Sequence, residues 1–139
     1  MKAVLDTNVV VSALLAPGGP CGRILDLLMA DEFVSCVDPR ILAEYESVLR
    51  RSKFRLPPER VEKVLNTIDT DSEHVTARPL GIPLADPDDV CFLEVAASAE
   101  AVLVTGNTRH FPSRVCRGVQ VVDPVGFLGI LAAARAPEP

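Results

Sequence analysis

The sequence predicts an α/β protein, a three-layer α/β/α sandwich around a mostly parallel central sheet of about five strands. One domain is expected over residues 1–135, with a flexible tail at 136–139. Three observations lead there. Two uncharged apolar runs, Ala3-Val4-Leu5 and Ala101-Val102-Leu103-Val104, have the composition of central strands buried on both faces. Segments with apolar residues at helical spacing fall between the strand-like runs, and such alternation closes into a parallel sheet with right-handed crossovers. At 139 residues and 48% hydrophobic, the chain can bury roughly two-thirds of its unfolded surface in one core.

Taken in order, the first strand stops abruptly at Asp6. Asn8 to Leu15 follows as a short helix with Thr7 or Asn8 as cap, halted by Pro17-Gly18-Gly19-Pro20. Ile24, Leu25, Leu27 and Leu28 give one packed face to a second helix from Cys21 to Ala30, and Phe33 to Val37 is the next strand. Asp38-Pro39 is a cap and first-turn proline for a helix whose apolar face is Ile41, Leu42, Tyr45, Val48 and Leu49. Pro57-Pro58 interrupts the chain before another amphipathic helix, Glu59 to Ile68. The acidic run Asp69-Thr70-Asp71-Ser72-Glu73 lacks the glycine and the distant glutamate of a calcium loop, so it is expected to be a plain loop, with a short strand starting at Val75. Asp86 suits a cap and Pro87 the first position of the helix Val90 to Ala99. The strand Ala101 to Val104 leads into Thr105-Gly106-Asn107, Val119 to Val122 is the last strand, and Pro124 starts a C-terminal helix.

Composition narrows the function classes. A net charge of −5 and a pI near 5.0 argue against coating nucleic acid through overall charge. Local patches remain: Arg50, Arg51, Lys53, Arg55 and Arg60 in one segment, Arg109, His110, Arg114 and Arg117 in another. Cys21, Cys36, Cys91 and Cys116 form no Cys-x-x-Cys pair and sit among apolar neighbours, as reduced thiols of a cytoplasmic protein do. No run is long enough to span a membrane, and Asp6 interrupts any signal-peptide pattern. His74 and His110 lack a metal-site spacing.

The acids carry the chemistry. In open α/β sheets ligands bind outside the carboxyl ends of the strands, so Asp6 stands at the expected site, although it or Asn8 could merely cap a helix. Glu44 falls on or beside a buried stripe, three residues after Ile41 and four before Val48, and needs a metal or a partner such as Arg40 or Arg51. Asp86, Asp88 and Asp89 put more charge at one helix start than its dipole requires, and Asp89 precedes the apolar face Phe92, Leu93, Val95 and Ala96, which turns it inward. Thr105, Gly106 and Asn107 make a second loop facing the site. Carboxylates gathering without histidine or thiolate select Mg²⁺ or Mn²⁺.

In order and spacing, Leu5-Asp6-Thr7-Asn8, the acid at Glu44, Asp86-Pro87-Asp88-Asp89 and Val104-Thr105-Gly106-Asn107 resemble the PIN-domain ribonucleases. The branch most similar is that of the VapC-like toxin components of bacterial toxin–antitoxin pairs. The resemblance spans essentially the whole chain and implies a PIN-like fold and metal-dependent cleavage of single-stranded RNA. It implies catalytic and metal-binding roles for Asp6, Glu44 and Asp89, with Asn107 as a further metal position. That position is usually Asp, and the amide contributes no charge. Thr7, Asn8, Asp86 and Thr105 take supporting roles, while Arg50, Arg51, Lys53, Arg55, Arg109 and Arg114 could track an RNA backbone. The implied partners are a cognate antitoxin and a second copy of the chain, through the helix from Cys21 or the C-terminal one.

Three alternatives are weighed against it. A catalytically weakened RNA- or protein-binding module is motivated by Asn107. A haloacid-dehalogenase-like phosphatase would need an acid at the position of Asn8, and a phospho-receiver domain an acid pair near the first strand.

Overall fold

The computed structural model describes residues 1–135; the tail expected at 136–139 lies outside them. Five strands, β1 (Lys2–Leu5), β2 (Val34–Val37), β3 (Glu73–His74), β4 (Val102–Val104) and β5 (Val121–Val122), form one sheet in the order β3-β2-β1-β4-β5. Every pairing is parallel, with Ala3 opposite Val102 and Leu5 opposite Val104 in the central pair. Six helices flank it: α1 (Thr7–Leu15), α2 (Pro20–Met29), α3 (Pro39–Leu49), α4 (Pro58–Asp71), α5 (Val90–Ala99) and α6 (Pro124–Arg135).

Burial explains why these elements form. Ala3, Val4, Leu5, Leu103 and Val104 are all at most 2% exposed, because a central parallel strand is covered on both faces. Ile24, Ile41, Tyr45, Leu49, Phe92, Leu93 and Phe127 fill the space between sheet and helices. Phe33 meets the Phe127 ring edge-on at 5.1 Å, joining the start of β2 to α6. Tyr45 donates from its hydroxyl to the Leu5 carbonyl, fixing α3 against the last residue of β1. Gly22 is required by a close approach: a Cβ there would lie 2.0 Å from the Pro17 carbonyl oxygen.

One segment departs from expectation. The acidic run 69–73 is not a loop, since α4 continues to Asp71 and Glu73 already belongs to β3, ahead of Val75. Three contacts fix this register: Ser72 meets Ser35 hydroxyl to hydroxyl, Lys2 pairs with Glu73 at 3.1 Å, and Cys36 stands opposite Glu73 in the ladder. Tertiary pairing here outweighs a local composition that favours turns. Between β3 and α5 the chain is irregular, ending in a 3₁₀ turn at Pro87–Asp89. That stretch is stitched to α5, with Leu80 N–H donating to Glu94 at 2.7 Å and Arg78 N–H to Ser98 at 3.1 Å.

Candidate active site

From β1 the sheet grows outward through β2 and β3 on one side and through β4 and β5 on the other, so a crevice opens beyond the carboxyl ends of β1 and β4. Asp6 and Thr105 stand at those two ends. Asp6 occupies the N-cap position of α1, where Thr7 or Asn8 was expected, yet its carboxylate makes no capping bond. It accepts instead from Thr105 Oγ1 at 2.7 Å and from Asn8 Nδ2 at 3.4 Å. Thr105 Oγ1 accepts from the Asn107 N–H at 3.0 Å, and Asn8 Oδ1 from the Gly106 N–H at 3.1 Å. Two loops remote in sequence therefore hold one carboxylate. Burial raises the pKa of Asp6; the bonds from Thr105 and the Thr7 N–H, with the charge of His110, work against that rise.

Glu44 sits half-buried on α3. Burial is the main cause raising its pKa, followed by Asp88, with Asp86 and Asp6 adding and Arg51 opposing. Pairing with Arg40 does not occur, because Arg40 is held elsewhere: its Nη2 lies 2.7 Å from Asp38 and its Nη1 2.7 Å from Glu94. Asp89, at the end of the 3₁₀ turn, has a side chain only 13% exposed. Burial first, then Asp6 and Asp86, push its pKa up to about 6, while His110 draws it down. Its Oδ2 is buried without a hydrogen bond; His110 Nδ1 is 3.3 Å away, within ion-pair distance but not aligned to donate.

The charge of Asp6 thus reaches both Glu44 and Asp89, that of Asp86 reaches all three, and that of Asp88 reaches Glu44, raising the pKa in each case. Direct convergence is looser. Among the described residues no three Asp, Glu, His or Cys side chains form a group able to hold a metal ion. Oxygen donors, with Asp89 Oδ2 buried and not hydrogen-bonded among the described residues, nonetheless suit a hard divalent cation, which would offset the repulsion among the acids.

The remaining predicted residues divide. Asp86 caps the 3₁₀ turn, accepting from the Asp88 N–H at 3.0 Å, and the buried Thr7 hydroxyl has no hydrogen-bond partner among the described residues. Asn107 is exposed and joins the site through its backbone. Arg50 is tied to Glu62 at 2.7 Å and Glu46 at 3.3 Å. Arg51, Lys53 and Arg55 are exposed around the 3₁₀ turn Ser52–Phe54, and Arg109 and Arg114 on two further turns after β4. Sequence reasoning missed His110 against Asp89, which has no spacing signature. It also missed the Asp38–Arg40–Glu94 bridge, which did leave a signal: Glu94 is an acid in the middle of an apolar run.

A family model described as PIN domain matches residues 2–109. The chain belongs to the PIN domain family. PIN domains are generally nucleases that use divalent metals. An uncharacterized protein of Methanocaldococcus jannaschii is 33% identical over 110 residues, covering 77% of this chain and 71% of its own length. Among solved structures, VapBC2 from Rickettsia felis, bound to a DNA fragment from their promoter, is similar with a TM-score of 0.62 and 19% identity, over 88% of this chain and 98% of that one. FitAcB from Neisseria gonorrhoeae is similar with a TM-score of 0.59 and 21% identity, over the same shares of each chain. These two likenesses concern the PIN fold, whose parallel sheet and flanking helices the chain reproduces.

Proposed function

We propose that this PIN domain is a Mg²⁺- or Mn²⁺-dependent endoribonuclease that cleaves single-stranded RNA, and the VapC-like toxin of a toxin–antitoxin pair in the cytoplasm. The observation that supports the reading is that the charge of Asp6, at the crevice beyond β1 and β4, bears on both Glu44 and Asp89, with an Asp89 oxygen buried and without a hydrogen bond among the described residues. These three acids, with the Asn107 amide, would hold the ion. When bound, it supplies an acidified water, neutralises charge on the phosphate and steadies the departing 3′-oxygen.

The protein's own part is orientation. Thr105 and Asn8 fix the rotation of the Asp6 carboxylate, and Tyr45 fastens α3, with Glu44, to the end of β1. Asp86 sets the turn that delivers Asp89. Arg51, Lys53, Arg55, Arg109 and Arg114 offer charge to a backbone passing the crevice, and an unstacked strand fits such a cleft better than a duplex.

Support for an antitoxin partner comes from the fold neighbours, which are VapBC and FitAB complexes. A second copy could pair through α6, where Val125 is 65% exposed. A binding module that has lost catalysis is the second reading, favoured by the uncharged Asn107 and the loose approach of the acids. Cleavage of a single-stranded RNA with Mn²⁺ or Mg²⁺, stopped by EDTA, separates the two. Asp6→Asn is expected to lower the rate at least a hundredfold; full activity in that variant would remove Asp6 from the site.

A further inference from the structure

Beside the acids lies a cavity of about 410 Å³ lined by Arg40, Glu44, Pro87, Asp88, Val90 and Cys91. Glu44 belongs to both, so whatever fills the cavity is adjacent to the linkage being cut. The state of Arg40 limits what that can be. Each of its guanidinium nitrogens lies close to a carboxylate oxygen: Nε at 2.9 Å and Nη2 at 2.7 Å from Asp38 Oδ2, and Nη1 at 2.7 Å from Glu94 Oε1. Both acids are nearly buried, at 6% and 7% exposure, whereas Arg40 is 49% exposed. A guanidinium held this way keeps some of its five N–H donors, but two carboxylates offset its charge and make it a poor anchor for a phosphate. It also presents its flat face.

The other walls point the same way. Asp88 engages its neighbours through its backbone, donating from N–H to Asp86 and accepting at its carbonyl from Cys91. Its exposed carboxylate and that of Glu44 repel a phosphate but accept hydrogen bonds from amino groups. Pro87 and Val90 are apolar. Planar bases stack on arginine faces, and carboxylates read exocyclic amines.

We propose that this cavity is a base-binding subsite in which one unstacked nucleobase, next to the cleaved linkage, stacks on Arg40 and gives its exocyclic amino group to Asp88. Adenine, cytosine and guanine satisfy that acceptor; uracil does not. The inference rests on the ribonuclease reading above.

The test uses Asp6→Asn protein, expected to be silent in cleavage, and fluorescently labelled oligo(A), oligo(C) and oligo(U), alongside mapping of wild-type cleavage sites. Oligo(A) and oligo(C) should bind more tightly than oligo(U), and Asp88→Asn, which adds a donor, should level or reverse that preference. Arg40→Lys keeps a charge for Asp38 and Glu94 but loses the plane, and should weaken all three by roughly tenfold. If that variant folds poorly, Val90→Trp, which fills the cavity, should give the same loss. Should the wild type cleave while Asp88→Asn and Val90→Trp change neither binding nor cleavage sites, the subsite is wrong and the nuclease reading stands. Should the wild type neither bind nor cleave any RNA, the nuclease reading fails and takes the subsite with it.

Discussion

The Thr105 hydroxyl donates to a carboxylate that is 6% exposed, and hydrogen bonds to charged groups are worth roughly 1.5–3 kcal/mol. Thr105→Val keeps the shape and removes the donor. It is expected to destabilise the fold by about 1–2 kcal/mol in urea unfolding and to raise the pKa of Asp6 further, seen by carboxyl NMR titration. Asp89 works in the opposite sense. Its pKa of about 6 in the folded chain lies above its ordinary value, so the folded state holds the proton more tightly, and ionisation costs stability as pH rises through 6. Below the ordinary value both states are protonated and the cost vanishes. Asp89→Asn should therefore raise Tm at pH 7 by roughly 3–6 °C, for about 1 kcal/mol in a chain this long, and leave it unchanged near pH 3.5. Differential scanning calorimetry at the two pH values checks both halves. At this scale the sequence was legible where an acid ended an apolar strand, as at Asp6. It was silent on His110, whose contact with Asp89 depends on how two turns pack.

Helix α2 approaches the preceding loop so closely that only glycine fits at position 22. Gly22→Ala forces a methyl group onto the Pro17 backbone, and overpacking of this kind costs about 1–3 kcal/mol, to be measured by urea unfolding. That constraint could not be read in advance: the sequence shows a glycine inside a helix, and only the path of the neighbouring loop explains it. The helices themselves were legible from period and from proline placement, as at Pro39 and Pro58. The end of α4 was not, because Asp69, Thr70 and Asp71 favour turns locally, while Ser72 and Glu73 are claimed by Ser35 and Lys2 on distant strands.

Across the whole molecule, a parallel sheet with its switch between β1 and β4 brings Asp6, Glu44 and Asp89 to one crevice from three separate stretches of chain. Mutual repulsion makes that arrangement costly, and on the proposed reading a cation offsets it. Mn²⁺ at about a hundred times its dissociation constant should add about 2.7 kcal/mol and raise Tm by roughly 10 °C, reversed by EDTA and largely lost in Asp6→Asn. A thermal-shift assay reads it, and equal shifts in variant and wild type would place the ion elsewhere. The fold class was legible because alternating strand and helix periods leave few topologies. The bridge from Asp38 through Arg40 to Glu94 was not, since pairing across 54 residues is written in no local pattern.

The hydroxyl that fixes Asp6 lies 99 positions further along the chain. Translation runs from the amino end, so an emerging polypeptide shows its leading carboxylate to the cell well before the residue that aims it exists. The carboxylate at the head of the chain thus takes its fixed direction only once most of the polypeptide has been made.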